Sequence, residues 1–167
     1  MTLKTERGTT LIETVIATSL LLVVMIGLLS MAALATVYTE NHGHLEARTT
    51  EYAQDKMEQL LAIVYTDAVT NTVVFPAAPS GGTGLAVGGS SNTTTPVNGY
   101  VDWLAQDGSL LGGGITAPDT WFYQRVWQVS QLTTGVKEIT VTATVKSAVG
   151  NALVPKSTVA ALKSSRF

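Results

Sequence analysis

Residues 8–38 read G-T-T-L-I-E-T-V-I-A-T-S-L-L-L-V-V-M-I-G-L-L-S-M-A-A-L-A-T-V-Y, and between Glu13 and Glu40 no side chain carries a charge. A helix needs about 20 apolar residues to cross a bilayer. This run exceeds that length, so it constrains the chain more than anything that follows it, and the first expectation is a membrane segment. The stretch ahead of it, M-T-L-K-T-E-R-G, carries Lys4 and Arg7. Basic residues flanking an apolar run hold that end in the cytoplasm, so the C-terminal part is expected on the other side of the membrane.

The start of the run is more specific than that of a plain anchor. A short basic leader ends in Gly8, Thr9 comes next, Thr10-Leu11-Ile12 follow, and Glu13 stands fifth after the glycine inside an apolar pattern. This arrangement resembles the type IV prepilins and their type II secretion relatives, the pseudopilins. The resemblance implies cleavage between Gly8 and Thr9 by a prepilin peptidase, N-methylation of the new amine on Thr9, and a role in filament assembly for Glu13. Thr9 departs from the Phe or Met more frequent at that place. The membrane part has no central proline, Ser30 standing where many major pilins carry one. The later stretch E-Y-A-Q-D-K-M-E-Q-L-L-A-I is similar to the helix end of the V-type minor pilins and the pseudopilin I class.

Two plainer readings of the same residues exist. Thr10-x-x-Glu13 fits a capping box that starts a helix, and Glu13 also interacts favourably with the helix dipole there. Ala33-Leu34-Ala35 offers a signal-peptidase pattern that would leave a mature N-terminus at Thr36. Signal-peptide apolar regions run about 7 to 15 residues, shorter than this one, and a cap does not by itself require a basic leader ending in glycine.

Helical periodicity continues beyond the membrane run. Leu45, Tyr52, Ala53, Met57, Leu60, Leu61 and Val64 recur at helical spacing, while Glu46, Arg48, Glu51, Asp55 and Glu58 fall on other faces. One helix over residues 9–65 fits, with a bend expected at Asn41-His42-Gly43-His44, because glycine costs about 1 kcal/mol relative to alanine in a helix interior. Residues 76–99 are rich in Gly, Ser, Thr and Pro and read as a flexible or irregular surface loop. Asn92-Thr93-Thr94 matches a glycosylation acceptor pattern that carries little weight in such a chain.

Strand signals follow. Residues 100–104 precede a turn at Gln106-Asp107-Gly108, and Gly112-Gly113-Gly114 is a further breaker. Residues 121–131 alternate with Trp121, Tyr123, Trp127 and Val129 on one face, and residues 136–146 with Ile139, Val141, Ala143 and Val145. Thr133-Thr134-Gly135 joins the two as a hairpin, and an edge strand is expected around residues 157–162 after Pro155. An apolar sheet face needs a cover, and Tyr52, Met57, Leu60 and Leu61 supply it. The expected fold is α+β and pilin-like: a long N-terminal α-helix, transmembrane in its first half, packed through its second half on a small antiparallel β-sheet of about four strands. The divisions are a leader at residues 1–8, a transmembrane and assembly half at 9–40, and an exported domain at 41–167.

The 167 residues leave room for one modest domain beyond the membrane helix. With the leader removed, 8 basic side chains face 11 acidic ones, which gives no basic surplus for nucleic acid. The chain has no cysteine, so disulfides and thiol chemistry are excluded. His42 and His44 sit two apart on a helix and point in different directions; no metal or cofactor is expected. Trp103, Trp121 and Trp127 read as structural. Ala17, Thr18, Gly27, Ser30, Ala32 and Ala33 are small residues of the kind that let membrane helices approach closely. No nucleophile elbow, phosphate loop or paired metal spacing occurs.

The function expected is therefore a noncatalytic filament subunit, a minor pilin of a type IV pilus-like filament. The alternatives are a type II secretion pseudopilin and a pilus-tip adhesin or DNA-uptake module. Its implied partners are the prepilin peptidase, other pilin or pseudopilin subunits, an inner-membrane assembly platform and membrane lipid.

Overall fold

The computed structural model describes residues 10–147 and 153–165. Gly8 and Thr9, where leader cleavage and methylation are expected, lie outside the described residues. The chain divides into two compact units, Met1–Glu40 and Asn41–Phe167.

A single helix, α1 (Leu11–Ala62), belongs to both units. Thr10 starts it as an N-cap, its carbonyl accepting from the N–H groups of Glu13 (2.9 Å) and Thr14 (3.2 Å). Residues 41–44 are helical, so the single glycine there does not interrupt the run. The helix stops at Ala62, three residues before the expected end, where a sheet lysine takes one of its last carbonyls: Lys163 donates to the carbonyl of Leu61. Lys137 donates to the carbonyl of Tyr65 in the segment that follows. A helix leaves its final C=O groups without partners. No basic residue stands in the last turn of α1, and the cation there comes from the sheet instead.

The second unit is α+β, as the sequence leads one to expect, with six strands rather than about four. They are β1 (Gly88–Gly89), β2 (Val101–Leu104), β3 (Leu110–Gly113), β4 (Tyr123–Thr133), β5 (Val136–Val145) and β6 (Lys156–Ser164). The sheet is antiparallel in the order β3-β2-β4-β5-β6, and β1 pairs with β4 beyond the end of β2. The β4–β5 hairpin turns where its residues predict, Thr133 pairing with Val136 across Gly135 at φ 85°. A side chain there would be strained, which is why glycine sits at this turn. The extra strands are the short ones, built from glycine-rich sequence that has little β-signal of its own.

The core lies between α1 and one face of the sheet. Tyr52, Ala53, Met57 and Leu60 meet Tyr123, Trp127 and Val129 of β4 and Ile139, Val141, Ala143 and Val145 of β5. Tyr52 and Tyr123 stack edge to face at 4.8 Å, within the range favoured for aromatic pairs.

Two expectations about this core are corrected. Leu61 is 37% exposed whereas Leu60 is fully buried, because the buried stripe of α1 runs through Thr49, Tyr52, Ala53, Lys56, Met57 and Leu60 and ends there. Trp121 does not share the face of Tyr123 and Trp127. It packs with Val101, Trp103 and Val126 on the opposite side, its ring 4.9 Å from that of Trp103. The alternation of β4 begins only at Tyr123, and a Trp121 N–H to Pro118 carbonyl turn precedes it.

Apart from the two-residue β1, residues 76–99 are irregular, as expected, and are knitted in place. Asn71 and Ala78 exchange backbone bonds, Gly82 and Gly84 bond back to Val69 and Thr70, and the Thr83 hydroxyl donates to Gly99. Asp67 receives the N–H groups of Val69 and Thr70 and the Thr70 hydroxyl, and these bonds hold its carboxyl below its ordinary pKa.

Candidate functional site

The first candidate is the N-terminal part of α1 itself. One helix is long and apolar enough to cross a membrane, and its most apolar stretch has no buried residue. Every large apolar side chain of residues 11–38 is more than half exposed. Its hydroxyls are satisfied internally: Thr18, Ser19, Ser30, Thr36 and Thr39 each donate to a carbonyl one turn back, at 2.7–3.0 Å. In lipid every polar group must find such a partner. Gly27 has open space around the place a Cβ would occupy.

Glu13 sits in the first turn. It is exposed and is the lone ionisable side chain among residues 11–37. The structure thus places a carboxylate at the head of an apolar surface that none of the described residues buries.

The second candidate is what binds the other part of α1 to the sheet; its apolar contacts were expected and its buried charges were not. Thr49, Tyr52, Ala53, Lys56, Met57 and Leu60 follow helical three-and-four spacing, so Lys56 falls in the middle of the buried stripe and is fully covered. Its ammonium lies 2.9 Å from Asp102 Oδ2, donates to the Thr72 carbonyl at 2.6 Å and rests 4.1 Å above the Trp127 ring.

Asp102, on β2, is fully buried too. It takes a two-pronged contact from Arg125 of β4, Nε to Oδ1 at 2.7 Å and Nη2 to Oδ2 at 2.9 Å. The remaining Arg125 nitrogen, Nη1, reaches Asp55 of α1 at 2.8 Å. The result is a four-member chain, Asp55–Arg125–Asp102–Lys56, with alternating charge and no net charge.

Register explains the meeting of Arg125 and Asp102, which are direct partners across β2 and β4. Burial by itself pushes the Asp102 carboxyl up, but Lys56 and Arg125 together outweigh it and hold Asp102 below the ordinary carboxylate range. Burial likewise opposes the charge on Arg125, and the two aspartates more than compensate, leaving its pKa raised.

A cleft of ≈ 620 Å³ opens beside this chain, between Glu51, Asp55 and Gln59 of α1, Val74 and Phe75, and the β2–β3 turn. Its acidic groups are occupied in ion pairs, Asp55 with Arg125 and Glu51 with Arg48 at 2.9 Å. Among the described residues no cluster of three His, Asp or Glu side chains is placed to hold a metal ion. His42 contacts Glu46 (3.4 Å) and the Leu153 carbonyl (3.2 Å).

Comparison with protein-family models, with curated proteins and with solved structures finds no match to this chain.

The buried ion chain was partly legible. Arg125 has the same strand parity as Tyr123, Trp127 and Val129, and Lys56 has the helical phase of Tyr52, Ala53 and Leu60. A charged residue at an apolar phase is the signal that points to such a pair. Asp102 gives no comparable signal in its short strand.

Proposed function

We propose that the chain is a noncatalytic structural subunit of a type IV pilus-like filament, of the minor pilin kind. The observation that carries this reading is the pairing of opposites within α1: an apolar part that the described residues leave uncovered and that carries Glu13 in its first turn, continuous with a part fastened to an antiparallel sheet. Such a subunit rests in the inner membrane with its sheet domain outside the cytoplasm, the orientation that Lys4 and Arg7 favour. The prepilin peptidase trims it after Gly8, Thr9 is methylated, and the assembly platform draws the apolar part out of lipid and into a bundle of like helices from other subunits.

Exchange of lipid for helices is physically reasonable. Lipid tails are as apolar as the side chains, so close packing and polar pairing decide association. Glu13 supplies the polar element. Once Thr9 is the N-terminus, its amine is a cation four residues away, and pairing with the Glu13 carboxylate of a neighbour sets the axial step between subunits.

The experiment is N-terminal sequencing of the chain recovered from the outer surface. A methylated Thr9 terminus is expected. A terminus at Thr36 would establish a cleaved signal peptide and overturn the proposal.

A further inference from the structure

One rim of the sheet domain is tied to the residues that follow the apolar run. His42 stands two positions after Glu40, the first charged side chain past that run, and its Nε2 lies 3.2 Å from the Leu153 carbonyl oxygen. Two turns further along α1 the hydroxyls of Thr49 and Thr50 meet Ser157 Oγ at 2.9 and 2.8 Å. From β5, Val145 N–H and the Thr144 hydroxyl both donate to the carbonyl of Pro155, which is itself buried. The backbone entering β6 is thus held on two sides.

Its side chains are bare all the same. Leu153 is 88% exposed, the most open large apolar side chain among the described residues, and Val154 beside it is 47% exposed. Exposed lysines flank the pair in the chain, Lys156 at the start of β6 and Lys146 just past β5. The Lys146 N–H bonds to the Phe122 carbonyl, and its ammonium lies 5.4 Å from the ring of half-buried Trp121. Glu40 and Glu46, exposed on either side of His42, complete a rim of mixed charge around an apolar pair.

Chain connectivity alone sets the depth of this rim. The run from Glu13 to Glu40 is longer than a hydrocarbon core is thick, and such helices accommodate by tilting. Tyr38, near its end, is an aromatic residue of the kind enriched at the membrane–water interface. His42 follows Tyr38 by about one turn, or ~6 Å, and the headgroup zone adds about 5–7 Å on each side of the core. We infer that the rim is a second membrane contact, Leu153 and Val154 entering the boundary between headgroups and acyl chains while Lys146 and Lys156 extend to the headgroups, as long basic side chains do at apolar surfaces. The inference rests on the membrane reading proposed above. Both signs of charge are present, so the rim matches a zwitterionic lipid surface. It ties the sheet domain to lipid at a second point and restricts its swing on α1.

The chain has no cysteine, so single introduced thiols can be labelled without background. Full-length chains carrying Leu153→Cys, Leu132→Cys or Leu22→Cys, each bearing a polarity-sensitive fluorophore, are reconstituted in phosphatidylcholine vesicles. Leu132 is 52% exposed near the β4–β5 turn, at the other end of the sheet, and Leu22 lies within the apolar run. The Leu22→Cys probe is expected to be quenched by lipid spin-labelled deep in the acyl chain. Lipid labelled close to the headgroup is expected to quench the Leu153→Cys probe roughly threefold more strongly than the Leu132→Cys probe. Adding Val154→Asp is expected to bring Leu153→Cys down to the Leu132→Cys level. Equal quenching at Leu153→Cys and Leu132→Cys, with Leu22→Cys quenched, overturns the rim contact and leaves the span standing. A blue-shifted Leu153→Cys probe that labelled lipid does not quench shows that protein covers the rim, and also overturns the lipid contact. An unquenched Leu22→Cys probe overturns the span, and the rim contact that rests on it falls with it.

Discussion

Residues 11–40 and 41–62 belong to one helix, yet the first stretch holds leucines, valines and isoleucines with their surfaces open while the second buries a lysine and a threonine completely. Apolarity sets where a side chain is stable, and the neighbours available decide whether it is covered. The first stretch is left uncovered by the described residues, and on the reading proposed above lipid or other helices cover it. The second has its own sheet, and an ion chain adds geometric demands that apolar packing does not make. Buried ion pairs of this kind add little net stability, but breaking one by removing a single partner is strongly destabilising.

The largest effect expected is at the boundary of the buried stripe. In a fragment comprising residues 41–167, Leu60→Asp places a carboxylate where no surface is exposed. The lost leucine packing alone is worth about 2–5 kcal/mol, and the unpaired charge adds several more, enough to unfold a small domain. Leu61→Asp, one residue on and 37% exposed, is expected to melt within a few degrees of the parent. Equal loss in both variants, read by thermal unfolding, would show that the stripe has been misplaced.

Next comes Asp102→Ala, which leaves Lys56 and Arg125 facing each other without the carboxylate that both contact. A cost of about 3–5 kcal/mol is expected, measured by urea unfolding of the same fragment. The pH dependence has a definite sign. Because Asp102 titrates below its unfolded value, its contribution is complete above about pH 3.9 and is lost as pH falls through the depressed value. Asp102→Asn is expected to lose that acid limb, so its stability falls less steeply than the parent's as pH drops below about 4.

What the residues alone disclosed follows from period and composition. The unbroken apolar run, the β4–β5 hairpin and the edge strand after Pro155 were legible because each rests on a local pattern that burial then uses unchanged. Three matters were not. Lys56, Arg125 and Asp102 meet through a helix phase and a strand register that are settled only by tertiary pairing. Trp121 has the right parity but precedes the strand to which the parity applies. The order in residues 67–99 comes from single side chains such as Asp67 and Thr83 binding backbone, which composition cannot distinguish from a loose loop.

The same contrast can be probed at the start of α1, where the expected effect is smaller in energy and larger in consequence. Glu13→Val is expected to leave membrane insertion and cleavage after Gly8 intact, since neither uses the charge, and to lower recovery in sheared filaments at least tenfold, or about 1.4 kcal/mol. If Glu13 serves as a helix cap, Glu13→Gln keeps a hydrogen-bonding side chain and assembles nearly normally. If it pairs with a neighbour's amine, Glu13→Gln fails as well. Full incorporation of both variants would remove the charge pair from the mechanism.

The smallest effect expected is at Asp55, which contacts the same guanidinium as Asp102 from the solvent side. Its side chain is 55% exposed whereas that of Asp102 is fully buried. Water replaces a lost partner at an exposed site, and pairs of that kind contribute about 0–1 kcal/mol. Asp55→Asn keeps the shape and a hydrogen-bond acceptor for Arg125 Nη1, so a loss at or below that range is expected in urea unfolding, reduced further by salt. The Asp102 variants are expected to keep most of their deficit at high salt, because screening ions do not enter a site without exposed surface. A salt-insensitive loss at Asp55 as large as that at Asp102 would mean that the chain of charges acts as one unit to its solvent end, with Arg125 held from both sides and the helix fixed through two carboxylates instead of one.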